Sequence, residues 1–459
     1  MPDLLIRSAN IGSLVDGIGT TADIAIEDGK IAAIGPDLSD KGVRRVVDAE
    51  GRAVLPGLVD THIHVSGQFG DPMGFRMMLK AGVTTALDMA GDPVEIQTTA
   101  VQGRGMTIGA LFPVVPGKTV ADSNPSAFEL KQLLEQQLER GALGLKVLGG
   151  HYPLTPEATA RVFDVCADAR AYAAIHAGTT ETGSDVEGLA EAVNLAAGRR
   201  VHFAHINSYC RGQISDPVGE AAQAIGILAN AANAVSESYL SRINAADATC
   251  VAGVPVSRVV VTCLRMGGYE NSETELRRAI VDGWAAIHGE INGEMCLLDP
   301  DQGLDLYQAR GSAVAVSFAV NPASASLAIA LARRQGSPDF AVDAFSTDGG
   351  SLPRNTTLAQ GMALVAAQAL TLREFSWKAS GAPARMLGLD NKGRLEVGCD
   401  ADLIVVGRGG ACDLSMIAGK IAWGDGAGQD QAKPTVLCHP AGVDLVARSA
   451  TAIGREFGG

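Results

Sequence analysis

The chain has 459 residues, of which 47% are hydrophobic and 19% charged, so it can bury a large core and is not expected to be disordered as a whole. Its net charge of −14, without any run of Lys or Arg, argues against nucleic acid or an anionic membrane as a partner. Eight scattered cysteines without a Cys-x-x-Cys pair, and an N-terminus without a signal-peptide pattern, predict a cytoplasmic protein with reduced thiols.

The predicted elements fall into three parts along the chain. Residues 1–55 hold short β-type runs separated by Gly- and Asp-rich turns, and the same texture returns in residues 386–459. We expect these two segments to form one small β-sandwich domain. Between them, residues 56–385 alternate apolar β runs with helical patterns, which indicates a parallel sheet. About eight strands can be counted, the number in a (β/α)8 TIM-like barrel, and residues 241–310 break the alternation as an insertion, either a lid or an oligomer contact.

The first predicted barrel strand ends in His62-Ile63-His64. Side chains two apart in a strand lie on one face, so both imidazoles point the same way. Two adjacent imidazoles can bind one divalent metal ion. An isolated His-x-His pair is more often structural, so a metal site requires ligands from the rest of the chain.

Further polar residues stand near the carboxyl ends of later strands, where a barrel collects its active site. They are Lys146, His176, His205 and Asp348. Each one alone has a structural explanation: the lysine could pair with a buried acid, either histidine could lie in the core, and the aspartate could shape a turn. Together with the first strand, however, they place four of the eight histidines at the ends of three strands, beside a lysine and an aspartate. This combination indicates a metal-dependent active site.

The motif order resembles the binuclear metal-dependent amidohydrolase superfamily. It begins with Pro-Gly-Leu-Val-Asp-x-His-x-His at 56–64 and continues with one polar residue at each of four later strands, Lys146, His176, His205 and Asp348. The segment Ala-Asp-Leu-Ile-Val at 401–405 is also typical. Within that superfamily, residues 141–146, Tyr152, 187–193 and 201–205 are closest in texture to N-acyl-D-amino-acid deacylases. Lys146 departs from that branch and is similar to the carbamylated bridging lysine of hydantoinases, dihydroorotases and isoaspartyl dipeptidases.

The resemblance implies two divalent metal ions, with zinc as the default for this ligand mix. His62, His64 and Asp348 would bind the more buried ion, and His176 and His205 the more exposed one. Lys146 would bridge both ions as a carbamate, because burial lowers the pKa of a lysine and its neutral amine can react with CO2. A hydroxide between the metals would attack the amide, while Asp348 accepts the proton and passes it to the leaving nitrogen.

Tyr152, six residues after Lys146, is the candidate for stabilising the oxyanion. Substrate contacts are expected from loops after the strands, with these candidates: Asn207, Tyr209, Tyr239, Arg242, Arg265 and Arg354. An arginine would form a fork onto a substrate carboxylate, and the sequence does not choose among the three.

The expected function is hydrolysis of the amide C–N bond of an N-acyl amino acid or similar small amide. The alternative is a cyclic amidase that opens hydantoins or dihydropyrimidines. A ring deaminase is less favoured because such relatives commonly lack the bridging lysine, and a non-catalytic scaffold is disfavoured because no ligand is missing. The expected partners are a small-molecule amide and further copies of the chain, since dimers and tetramers are common in the superfamily.

Overall fold

The structure is a computed structural model that describes residues 2–67, 70–428 and 431–458. Its centre is a barrel of eight parallel strands whose apolar side chains are buried on both faces, as expected for strands covered by helices. In chain order the strands are Leu58–His64, Val83–Asp88, Thr107–Val114, Gly144–Leu148, Tyr172–His176, His202–Phe203, Val235–Ser238 and an eighth in two pieces, Ala344–Phe345 and Gly349–Gly350.

The divided eighth strand closes the barrel. Its first piece, Ala344–Phe345, pairs with the seventh strand, and its second piece, Gly349–Gly350, pairs with the first strand. Residues 344–350 therefore join the two ends of the sheet. This architecture confirms the predicted α/β fold with a TIM-like barrel.

Helices connect and cover the barrel strands, and their starts follow from the sequence. Thr155 accepts a hydrogen bond from the backbone N–H of Ala158, and Pro156 occupies the first helical position. Asp216 and Pro217 begin a later helix in the same way. The covering helices are Met73–Lys80, Pro93–Thr99, Ala127–Glu139, Pro156–Asp168, Val186–Ala196, Pro217–Ala229, Ala323–Leu331, Thr357–Ala366, Leu372–Ser376 and Ala382–Met386.

Both termini contribute to a separate sheet. Ala53–Pro56 pairs antiparallel with Leu403–Val406, so the N-terminal and C-terminal segments meet in the middle of this sheet. Its strands are Leu4–Asn10, Thr21–Glu27, Lys30–Gly35, Arg45–Asp48, Ala53–Pro56, Leu403–Val406, Cys412–Ile417 and Lys420–Trp423. As expected from the sequence, this small β domain is complete only when the two ends of the chain come together.

The last strands lie elsewhere than expected for residues 386–459. Thr435–Cys438 pairs with residues 107–109 of the third barrel strand and with Thr451–Gly454, rather than with the terminal sheet. The fourth barrel strand pairs with the third only from Leu111 onward, so the edge at 107–109 would otherwise expose backbone groups. The C-terminal strand covers that edge and buries Val436 and Leu437. A short helix, Val443–Val446, lies between the two C-terminal strands.

The insertion between the seventh strand and the eighth is a compact unit with its own core. Its four-stranded sheet extends to Phe318, beyond the predicted bound of 310, because the strand Ala315–Phe318 lies in the middle of the sheet. The strands are Ala246–Asp247, Ala285–Ile291, Glu294–Leu297 and Ala315–Phe318, beside a hairpin of Cys250–Val251 and Val254–Pro255. Its helices are Arg258–Met266, Glu273–Val281 and Pro300–Ala309. Of the helices in the described part of the chain, none is both long and apolar enough to cross a bilayer.

Candidate active site

A cavity of about 300 Å³ lies at the carboxyl ends of the barrel strands. All six sequence-predicted metal ligands line it: His62, His64, Lys146, His176, His205 and Asp348. The insertion covers one side, since Asn244, Asp247 and Val256 also line the cavity. The cavity thus joins the barrel ends to a cover formed by the insertion.

The histidines and the aspartate form a cluster that fits a divalent metal ion. Ligand atoms of His62, His205 and Asp348 all lie within 4.8 Å of one another. His64 is close by, with its Nε2 atom 3.0 Å from Oδ1 of Asp348. The ring centroids of His176 and His205 are 4.5 Å apart. Nitrogen and carboxylate oxygen at such spacing are the donors that zinc prefers.

Burial sets the protonation state of this cluster. It lowers the pKa values of His62, His176 and His205 well below their ordinary value. The neutral imidazole is the form that binds a metal ion. These rings are therefore ready to act as ligands at neutral pH.

Two of the cluster residues have unusual backbone conformations. His205, directly after the sixth strand, has φ of 35°, and Asp348, between the two pieces of the eighth strand, has φ of 51°. Both lie in the left-handed region, which non-glycine residues adopt at a cost of about 1–3 kcal/mol. The barrel thus holds these two side chains at the cavity against a local backbone preference.

Lys146 lies in the middle of the fourth strand and is 1% exposed. Its amine lies 3.6 Å from Sδ of Met89, and no ion pair of Lys146 with a carboxylate is found among the described residues. Burial lowers the pKa of this lysine. The charges of Glu237 and Asp348 oppose this effect in part, so the structure places a buried amine with a lowered pKa beside the histidine cluster.

Glu237, in the seventh strand, is a buried acid that the sequence analysis missed. Its Oε1 atom lies 2.8 Å from Nδ1 of His62 and accepts a hydrogen bond from the backbone N–H of His205 at 2.7 Å. Ser346 donates a hydrogen bond to the other oxygen. Burial raises the pKa of Glu237. The available signal was a charged residue within a buried strand, Val-Ser-Glu-Ser at 235–238.

Two other buried carboxylates shape the loops around the cluster. Asp88 accepts hydrogen bonds from the backbone N–H groups of Val65 and Ser66, at 3.0 and 2.9 Å, and so fixes the turn after His64. Asp60 accepts from the backbone N–H of Thr347 at 3.2 Å, and burial raises its pKa to about 7. These bonds tie the first strand to its two neighbours.

The predicted arginines separate into two groups. Arg354 lines the cavity and is 3% exposed, and its Nη2 atom lies 2.8 Å from Oδ2 of Asp348. Arg242 and Arg265 are exposed and do not line the cavity, so they are not positioned as substrate contacts. Arg211, which the sequence analysis did not single out, does line it.

The predicted aromatic and amide contacts also separate by position. Tyr152 and Tyr239 line the cavity. Asn207 and Tyr209 are buried behind it and support the loops instead. Oδ1 of Asn207 accepts from the backbone N–H of Tyr239 at 2.9 Å, and the Tyr209 hydroxyl accepts from Ala177 N–H at 2.9 Å. The sequence placed Asn207 and Tyr209 in the loop after the sixth strand, but it could not show that their side chains point away from the cavity.

Comparisons with known proteins agree with this geometry. The model of the amidohydrolase family matches residues 53–422. The chain is 27% identical to an N-acyl-D-glutamate deacylase of Alcaligenes xylosoxydans xylosoxydans, over 90% of this chain and 88% of the relative. Among solved structures, N-acyl-D-glutamate deacylase from Bordetella bronchiseptica, complexed with zinc and a phosphonate inhibitor, has a TM-score of 0.66 at 15% identity, covering 94% of this chain and 98% of that chain. D-hydantoinase from Thermus sp. has a TM-score of 0.58 at 17% identity, covering 94% and 97%.

Proposed function

Because the chain belongs to the amidohydrolase family, and is therefore a hydrolase acting on C–N bonds, we propose that it cleaves the amide bond of an N-acyl amino acid. The observation that carries the proposal is the cluster of His62, His205 and Asp348, with ligand atoms within 4.8 Å of one another in the cavity. The deacylase relative aligned along 90% of the chain supports this substrate class.

The donor set suits two divalent metal ions, and we assign zinc to both positions. His62, His64 and Asp348 would hold the first ion, and His176 and His205 would hold the second. Lys146 would complete the donor set as a carbamate, which its buried amine and lowered pKa favour. When bound, such ions supply a Lewis acid for the scissile carbonyl and lower the pKa of water.

Asp348 is the proton carrier of the reaction. Burial alone would raise its pKa, but the Arg354 guanidinium and the neighbouring His62 hold that pKa well below the usual range. The ionised carboxylate takes a proton from the attacking water as the C–O bond forms. It then gives the proton to the nitrogen as the C–N bond breaks, leaving a carboxylic acid and an amine. Tyr152 lines the same cavity, and its hydroxyl donates a hydrogen bond to the developing oxyanion.

A second candidate function is the opening of a cyclic amide such as a hydantoin or dihydropyrimidine. The buried Lys146 favours it, because the superfamily members that this lysine resembles include the hydantoinases. The same cluster would carry out this reaction, since ring opening is also amide hydrolysis. The two candidates differ in whether a free amine is released.

The test is product release by the purified protein loaded with zinc. The panel contains N-acetyl and N-formyl amino acids of both hands, together with hydantoins and dihydropyrimidines. New primary amine from an acyl amino acid is the expected result, and chelator-treated protein is the control. Acid without amine from the cyclic compounds would favour the second candidate, and no product from any compound would contradict both.

A further inference from the structure

Arg211 is the starting point for an inference about substrate selection. It follows the short helical turn Ile206–Tyr209, which continues directly from His205 at the end of the sixth strand. The residue is half-buried and lines the cavity.

The guanidinium group is oriented from behind by a buried amide. Its Nε atom donates a hydrogen bond to Oδ1 of Asn321 at 2.8 Å. Asn321 is 1% exposed, and its Nδ2 atom donates to the hydroxyl of Tyr239 at 3.1 Å and to the carbonyl of Ile243 at 3.1 Å. Because Nδ2 of Asn321 donates these two bonds, its Oδ1 atom is the end of the side-chain amide that faces Arg211. The Nε edge of the guanidinium is therefore occupied by the protein.

Within the described residues, Arg211 forms no ion pair with an acid, whereas the other cavity arginine, Arg354, is ion-paired with Asp348. Glu220, in the helix Pro217–Ala229, is hydrogen-bonded to the backbone of the loop that follows Arg211. Its carboxylate accepts hydrogen bonds from three backbone N–H groups, those of residues 212, 214 and 215, at 2.6 to 3.0 Å. Glu220 thus stabilises the loop that carries Arg211 rather than pairing with the guanidinium.

We propose that Arg211 binds a carboxylate of the substrate and selects for acylated amino acids over neutral amides. This inference rests on the proposed amide hydrolysis. A planar guanidinium fixed at one edge can present two N–H groups to a carboxylate, the anion whose geometry it matches. Because Arg211 lies in the loop after the sixth strand, a substrate bound through its carboxylate has its amino acid part on that side of the cavity.

The proposal separates the roles of the two cavity arginines. Arg354 donates to the Asp348 carboxylate and to the carbonyl of Ile243, so its donors already have protein acceptors. Its role is to hold the proton carrier. Arg211 has the donors left for a ligand, and its half-buried position makes a bound anion favourable because it compensates the partly desolvated charge.

The test compares Arg211→Gln with the unmodified protein on two matched substrates. These are the best acyl amino acid of the panel and its C-terminal primary amide, which lacks the negative charge. For the acid, kcat/KM should fall about 100-fold or more, the expected loss of two charge-assisted hydrogen bonds. For the amide, kcat/KM should change less than about threefold. Arg211→Lys, which keeps the charge but not the fork, should give an intermediate loss on the acid.

The alternatives have distinct outcomes. An equal fall on both substrates, or no fall on the acid, would overturn the role of Arg211 while leaving amide hydrolysis established. Arg310→Gln, an exposed arginine of the insertion, is the control and should match the unmodified protein.

If no substrate is hydrolysed, the proposed function fails and the carboxylate site is tested by calorimetry with N-acetyl-D-glutamate. Binding that disappears in Arg211→Gln would support the site. Absence of binding to the unmodified protein would overturn it.

Discussion

Glu237 Oε1 lies 2.8 Å from Nδ1 of His62, and the other ring nitrogen of that histidine lies 3.3 Å from Oδ1 of Asp348. A carboxylate behind a ligand histidine fixes its tautomer and ring orientation, because the Nδ1–H group donates to the acid and Nε2 is left as the ligand. The same carboxylate oxygen also accepts from the backbone N–H of His205. Glu237 therefore positions two members of the cluster at once.

Glu237→Gln should weaken zinc binding about 10- to 100-fold with little change in fold, because the amide keeps the shape but has one acceptor oxygen where the carboxylate uses two, toward His62 and toward Ser346. The measurement is competitive zinc titration of the metal-free protein, with circular dichroism as a check of folding. Glu290→Gln, an exposed acid of the insertion, is the matched control. Unchanged zinc affinity in Glu237→Gln would contradict the positioning role.

Lys146→Met should bind less zinc per chain and lose about 1,000-fold or more in kcat/KM, because methionine fills the strand position without an amine that can form a carbamate. Metal content by atomic emission and product release on the best substrate give the two readouts. The thermal midpoint should stay close to that of the unmodified protein, since the side chain volume is similar. Full metal content and full activity together would refute the bridging role.

Lys392→Met should destabilise the fold by about 3 kcal/mol, because it leaves the buried Asp402 carboxylate without its cation. Nζ of Lys392 lies 2.6 Å from Oδ2 of Asp402 and 3.0 Å from Oδ2 of Asp400. Asp402 in turn accepts from Gly57 N–H through its carbonyl at 2.8 Å, which links the terminal sheet to the start of the barrel. Urea unfolding measures the change.

The exposed Lys131→Met should stay within about 0.5 kcal/mol of the unmodified protein. A comparable loss of stability in that variant would show that the effect of Lys392→Met does not come from the buried ion pairs.

Lys378 should make stability rise with pH above neutrality. Burial lowers its pKa from 10.5 to about 7, while its Nζ atom donates to the carbonyls of Ala330 and Val342 at 3.0 and 2.9 Å. Between pH 7 and 10 the unfolded chain binds the proton more tightly than the folded one. The free energy of unfolding therefore increases with pH across this window, by up to ~1.4 kcal/mol per unit, and this gain is absent below pH 7.

The measurement is urea unfolding of the unmodified protein and of Lys378→Met at pH 7, 8 and 9. The difference in unfolding free energy between the two should shift in favour of the unmodified protein as the pH rises. A difference that stays constant over these pH values would show that Lys378 is not the source of the dependence.

The sequence alone determined the family, the barrel and which residues at the strand ends meet in the cluster. Apolar runs alternating with amphipathic segments require a covered parallel sheet, and polar residues at the ends of such strands must meet at one edge. The common direction of the His62 and His64 side chains could be predicted because successive side chains of a strand alternate between its two faces. Their order with Lys146 and Asp348 was specific enough to identify the superfamily, which the family match confirms.

Only the tertiary structure decided which other side chains face the cavity. In the sequence, Arg211, Arg242 and Arg265 are equally plausible substrate contacts, since each follows a predicted strand. Of these three, only Arg211 lines the cavity, because loop direction and the packing of the insertion determine where a long side chain points. Glu237 was hidden for a related reason: its importance depends on contacts with His62, 175 positions away. The periodicity of apolar residues in a sequence indicates local helix and strand geometry. The roles of Arg211 and Glu237 depend instead on contacts between segments that are distant in the chain.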